Sequence, residues 1–193
     1  MIHESPATCI SVYKNVFDSF EAKTFLQALN KDIEEGWSEL SWQNSGTGSN
    51  IVSNYRTSLS CSAIPLMRPY PETQLSRIFN EKIVNPIREV VEDYRRQYMI
   101  PNAFQDPYQI LKYLPGAEYH AHADHGSQNQ RVYSMVATLG EPEEGGELEF
   151  PFFDTKVECS VGNVILFPSN FPYTHMAHPV EKGIKYSLVS WYS

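Results

Sequence analysis

The stretch Tyr108-Gln-Ile-Leu-Lys-Tyr-Leu-Pro-Gly-Ala-Glu-Tyr-His-Ala-His-Ala-Asp124 joins a short β-prone run to a second extended segment through the turn formers Pro115 and Gly116. Alternate side chains of an extended chain share a face, so His120, His122 and Asp124 point the same way by parity. Toward the C-terminus the texture repeats. Tyr108 to Leu114, Val132 to Leu139, Glu147 to Phe150, Val164 to Pro168 and Tyr186 to Tyr192 are β-prone runs separated by Gly, Pro and Asn. Strands this short and this regularly punctuated predict a compact β-sandwich or jelly roll.

Working back toward the N-terminus, Cys9 to Phe17 alternates like a short strand. Asp18 or Ser19 can then cap a helix through about Glu35, with Phe20, Phe25, Leu26 and Leu29 near helical spacing and Gly36 as a stop. The run Asn44 to Asn50 carries turn formers and little to bury, which predicts a loop between Trp42 and the segment Ile51 to Leu59. A second helix is expected from about Glu72 to Tyr98, its apolar face made partly by Leu75, Ile78, Phe79, Ile83 and Val84, with Pro86 interrupting or restarting it. Pro101 ends it. No repeat or long linker divides the 193 residues, so one domain is expected over 1–193: helical support and a substrate-side loop over 1–105, and a β core over 106–193.

Hydrophobic residues make up 41% of the chain, enough for a core of its own. A net charge of -8 argues against a broad phosphate-binding surface, so no nucleic-acid partner is expected. The N-terminus lacks a basic and apolar leader, and no apolar run reaches bilayer length. Cys9, Cys61 and Cys159 are odd in number and far apart, as for separate thiols in a reducing compartment. A cytoplasmic protein without a membrane partner is the expectation.

Five of the six histidines fall in two clusters, His120-Ala-His122-Ala-Asp124-His125 and His175-Met-Ala-His178. Two imidazoles and a carboxylate on one side of a metal form the facial triad of non-haem iron oxygenases, though zinc accepts the same donors. Periodicity leaves His120 against His122, and His175 against His178, undecided. Lys185, shortly after the second cluster, offers a cation that could receive the far carboxylate of a 2-oxoglutarate cosubstrate.

Taken in order, these residues resemble the 2-oxoglutarate/Fe(II)-dependent oxygenase superfamily, and within it the prolyl 4-hydroxylase-like branch. Tyr113-Leu-Pro-Gly116-Ala-Glu-Tyr119-His-Ala-His122-Ala-Asp124 resembles the segment with the proximal iron ligands. His175-Met-Ala-His178-Pro179-Val180-Glu-Lys-Gly183-Ile-Lys185 resembles its distal partner. Between them, Gly145-Gly146-Glu147-Leu-Glu-Phe150-Pro151 and Gly162-Asn163-Val-Ile-Leu-Phe167-Pro168 match the connecting strands, and Tyr55-Arg56-Thr57-Ser58 is similar to a run found after a loop in prolyl hydroxylases.

The resemblance implies a double-stranded β-helix backed by N-terminal helices. It implies that His122, Asp124 and His175 bind Fe(II), and that 2-oxoglutarate chelates this iron while reaching Lys185 and a hydroxyl. Tyr113 is the implied donor and Ser134 a second candidate. His120 falls where the family has no ligand. Dioxygen is the co-oxidant, with ascorbate as a stimulant. Because Asp124 is retained, hydroxylation is implied rather than halogenation. Tyr119, Arg131 and Trp191 match positions that face the peptide, and Arg56 lies in the similar run beside them, which implies a proline-containing peptide or protein substrate. Three other readings are a hydroxylase of a free amino acid or other small molecule, a non-catalytic jelly-roll binding module, and a nucleobase demethylase. The acidic charge counts against the last.

Overall fold

The computed structural model describes residues 2–45, 54–68 and 72–193; of the loop expected at 44–50, Asn44 ends a strand and 46–50 lie outside the described residues. β1 (Ile2–Ala7) and β2 (Ile10–Lys14) open the chain as an antiparallel hairpin. α1 (Ser19–Glu35) starts where expected: the Asp18 carboxylate accepts from the Phe20 N–H at 2.7 Å, and left-handed Gly36 closes the last turn. An N-cap of this kind is worth about 1 kcal/mol. β3 (Gln43–Asn44) and β4 (Leu59–Ser62) follow as short paired strands, then the single turn α2 (Ile64–Met67).

The second long helix is continuous in space but not uniform. α3 (Gln74–Ile78) passes into a π-helical segment, Phe79–Val84, and then α4 (Asn85–Gln97). Pro86 restarts the helix as expected: it falls in the first turn of α4, just past the π-helical segment. The wider turn, in which the Asn85 N–H donates to the Asn80 carbonyl, makes room for a ring that would clash with a carbonyl four residues back in a regular helix. Leu75, Phe79, Ile83 and Val84 are buried along it, as their spacing predicts.

The remaining strands are β5 (Gln109–Tyr113), β6 (Tyr119–His122), β7 (Tyr133–Gly140), β8 (Glu144–Gly145), β9 (Leu148–Phe150), β10 (Thr155–Val157), β11 (Val164–Pro168), β12 (His175–Ala177), β13 (Val180–Lys182) and β14 (Lys185–Tyr192). All pair antiparallel. The major sheet runs β1-β2-β11-β7-β14-β5-β4-β3, the minor sheet β10-β9-β12-β6, and β13-β8 forms a separate ribbon. Two facing sheets with helices behind the larger one make the expected double-stranded β-helix.

This layering explains the composition of the central strands. Even-numbered residues of β14, such as Leu188 and Tyr192, belong to the core under the helices, whereas Val189 packs between the sheets. In β11 the sides alternate likewise, Val164 and Leu166 toward the helices, Ile165 and Phe167 toward the minor sheet. Strands covered on both faces read as continuous apolar runs, which is why they are so legible. The strands of the minor sheet and the ribbon are two to four residues long, below the length at which periodicity speaks.

Candidate active site

His122 ends β6 and His175 begins β12, and these two residues are paired partners across the ladder, with ring centroids 4.3 Å apart. Asp124 follows two residues after His122. One donor atom from each of the three lies within 4.8 Å of the others, the single such cluster among the described residues. His122 Nε2 is 3.6 Å from Asp124 Oδ1, and His175 Nε2 is 3.7 Å from Oδ2. Donors bound at about 2.1 Å to one ion sit roughly 3.0–3.5 Å apart, so each histidine nitrogen already stands near the separation from Asp124 that a shared metal would require. The donor set fits a metal ion.

The imidazoles are held in the tautomer a ligand requires. His122 Nδ1 lies 2.8 Å from the His120 carbonyl, and His175 Nδ1 lies 3.0 Å from the Tyr173 carbonyl. A carbonyl only accepts, so each Nδ1 carries the proton and each Nε2 turns a lone pair to the cluster. Burial first, and the neighbouring His175 next, push the His122 imidazole well below its ordinary range, so it is neutral near pH 7. For Asp124 burial acts upward, but His175, His122 and hydrogen bonds from Ser134 and Trp191 outweigh it, and its carboxyl stays below the usual range.

A β-bulge decides which histidines take part. β12 pairs His175 with His122 and Ala177 with Tyr119, so two residues of β6, His120 and Ala121, answer the single Met176 of β12. The extra residue resets the parity, placing Tyr119 and His122 together on the cavity wall. His120 turns outward, exposed and 3.2 Å from Glu118. His125 is exposed with Nδ1 on the Arg131 carbonyl, and His178 bonds Glu149. None of the three joins the cluster.

The cavity, about 480 Å³ with its mouth included, has His122, Asp124 and His175 on its wall together with Tyr113, Lys185 and Leu111. Lys185 is 2% exposed. Its ammonium donates to the Gly146 carbonyl at 2.6 Å and sits 5.2 Å from the centre of the Tyr113 ring, its partner across β5–β14. No carboxylate among the described residues pairs with it. A buried ammonium without a counter-ion costs on the order of several kcal/mol, so this wall can receive an anion.

Ser187 strengthens that reading and was not found from the sequence. It is buried, lines the cavity, and its hydroxyl has no hydrogen-bond partner among the described residues. The signal was available: residues 185, 187, 189 and 191 of β14 share parity and all line the cavity. Of the positions sharing parity with Tyr113, Leu111 lines it, whereas Gln109 borders a separate surface depression.

The expected rim residues divide. Tyr119 stacks on His122 at 3.6 Å, Arg56 lies over the Tyr119 ring at 4.7 Å from its centre, and Trp191 lines the wall. Arg131 stands behind, its guanidinium 3.8 Å from the Trp191 ring and its Nε 3.4 Å from Asp106. Ser134 is also outside the cavity lining. Its hydroxyl donates to Asp124 Oδ2 at 2.6 Å instead of facing the anion wall, because β7 passes beneath the metal cluster and Tyr113 and Lys185 stand on other strands. Segment 55–58, the run similar to one in prolyl hydroxylases, is stitched to β6 and the residue before it: the Thr57 N–H donates to the Glu118 carbonyl and the His120 N–H to the Tyr55 carbonyl.

Residues 108–193 match the model described as the 2OG-Fe(II) oxygenase superfamily. Among curated proteins, an Arabidopsis thaliana protein named probable prolyl 4-hydroxylase 9 is 32% identical over 125 residues, covering 50% of this chain and 43% of that protein. The chain spans less than half the length of the first such relatives it matches. Among solved structures, a viral collagen prolyl hydroxylase from Paramecium Bursaria Chlorella virus-1 in complex with 2OG aligns with TM-score 0.67 and 19% identity over 95% of both chains. A prolyl hydroxylase from Trichoplax adhaerens, bound to a hypoxia inducible factor peptide, aligns with TM-score 0.73 and 16% identity over 95% of this chain and 83% of that one. At these identities the structures show a shared fold.

Proposed function

We propose, from the match of residues 108–193 to the 2OG-Fe(II) oxygenase superfamily, that this protein is an Fe(II)- and 2-oxoglutarate-dependent hydroxylase of proline in a peptide or protein. His122, Asp124 and His175 hold the iron in this reading. The observation that carries it is one cavity with two complementary ends: three converging donors on one wall and the buried, carboxylate-free Lys185 on another.

When bound together with dioxygen, iron(II) and 2-oxoglutarate supply C–H hydroxylation coupled to release of succinate and carbon dioxide. The chain's own residues do the rest. Lys185 receives the C5 carboxylate of the cosubstrate in an ion-paired hydrogen bond from a proton not used on the Gly146 carbonyl, with the Tyr113 and Ser187 hydroxyls as further donors. The Nδ1–H bonds to backbone keep both imidazoles aimed, and the apolar wall of Leu111, Val136, Leu148 and Val189 excludes water from the reacting centre. Tyr119, Arg56 and Trp191 form the substrate side, with Arg131 acting through the Trp191 ring it stacks on. Aromatic faces of this kind suit an extended proline-containing chain. Ascorbate would stimulate turnover by keeping iron ferrous. The three unpaired thiols suit a cytoplasmic setting, and no described helix is long and apolar enough to cross a membrane.

Incubation with iron(II), ascorbate and 2-oxoglutarate, offering proline-rich peptides beside free amino acids, tests the reading by mass spectrometry. A gain of one oxygen atom on a peptide proline, lost in His175→Ala, is the expected result. A gain on a free amino acid alone would move the substrate assignment to small molecules.

A further inference from the structure

We infer that Ser134 and Ser169 form a two-hydroxyl relay that positions the Asp124 carboxylate for the metal, an inference that rests on the metal-centre reading above. Ser134 Oγ lies 2.6 Å from Asp124 Oδ2 and 2.8 Å from Ser169 Oγ, and both serines are 1% exposed. Neither lines the cavity, so neither hydroxyl is available to cosubstrate or peptide.

The chemistry sets the direction of both bonds. An ionised carboxylate only accepts, so Ser134 must spend its one proton on Asp124. Its oxygen can then only accept from Ser169, which makes Ser169 the donor at the head of the chain. Each hydroxyl is thereby held in a single rotamer, and chains of this kind strengthen the terminal bond.

The relay is anchored to the middle of the major sheet. Ser134 sits on β7 between β11 and β14, opposite Phe167 and Trp191. Ser169 is clamped by its backbone: its N–H donates to the Val132 carbonyl, and its own carbonyl accepts from the N–H of His125, the residue after Asp124. One serine therefore ties down the chain next to Asp124 while its hydroxyl, through Ser134, stops the carboxylate from rotating. Asp124 lies beyond the end of β6 and has no ladder of its own to hold it. Ser134 and Ser169 are positioning residues, acting on the metal through Asp124.

Cobalt(II) is the probe, read by calorimetric affinity and by its visible absorption band, with the apo-protein melting temperature recorded alongside. Ser134→Ala is expected to bind cobalt about 10- to 100-fold more weakly with an altered band, at a melting temperature close to that of the unaltered protein. Ser169→Ala should show a smaller loss in the same direction. Unaltered affinity and band in Ser134→Ala would overturn the relay. If that variant does not fold, Ser169→Ala, which leaves Ser134 in place, decides by the same two readouts. Cobalt binding that persists in His175→Ala would overturn the metal centre itself, a result separable from failure of the relay alone.

Discussion

At the residue scale, Lys185 concentrates the tension between stability and function. Its ammonium is buried with a carbonyl and an aromatic face for company, which is poor compensation for lost hydration. Lys185→Met keeps the stem's volume and removes the charge. The apo variant is expected to melt at or above the temperature of the unaltered protein, while its dissociation constant for 2-oxoglutarate rises about 10- to 100-fold, the worth of a charge-assisted bond. Scanning calorimetry and a binding titration check the pair; a marked fall in melting temperature would show that the charge is satisfied some other way. Ser187 stands on the same wall, its buried hydroxyl without a protein partner among the described residues.

At the element scale, the β8–β13 ribbon is the hinge on which the anion wall hangs. Gly145 has φ 79°, and a Cβ there would lie 2.4 Å from the Pro179 carbonyl oxygen and 2.9 Å from the Glu181 nitrogen, both backbone atoms that cannot swing aside. Its neighbour Gly146 supplies the carbonyl that holds Lys185. Gly145→Ala is therefore expected to destabilise by about 2 kcal/mol or more, a fall of roughly 4–8 °C in melting temperature for a chain of this size. 2-Oxoglutarate affinity should drop with it. Cobalt affinity should persist, because the three donors stand on and beside β6 and β12, outside the ribbon. Equal loss of both affinities would contradict this division of labour.

At the scale of the whole molecule, tyrosines are packed under the helices. Burial, the leading cause in each case, pushes the hydroxyls of Tyr94, Tyr108 and Tyr192 above the usual range. Their unfolded counterparts ionise near pH 10, so as pH rises past 10 the unfolded chain sheds protons that the folded one keeps. Stability is thus fully present below pH 10 and lost above it, each group contributing up to about 1.4 kcal/mol per pH unit. A melting temperature that falls steeply above pH 10, with phenolate absorbance at these sites appearing only on unfolding, is the expected outcome; a flat profile to pH 11.5 would contradict it.

The amino-acid order alone was enough for α1 with its Asp18 cap and Gly36 stop, and for the long strands β5, β7, β11 and β14. Those features are local, or buried on both faces, and leave a pattern in composition. The two histidine clusters and Lys185 were legible for the same reason, as chemistry grouped along the chain. What remained ambiguous was which histidine of His120 and His122 faces inward, because a strict two-residue alternation puts both on one side. Tertiary pairing settled it. The ladder between β6 and β12 holds an extra residue between Tyr119 and His122, and that one-residue bulge turns His120 to solvent. The same limit hid the partner of Ser134 and the place of Ser187 on the cavity wall, since a hydroxyl's role depends on which strands lie across from it, and a hydrogen bond between residues ten or thirty-five apart leaves no periodicity to read.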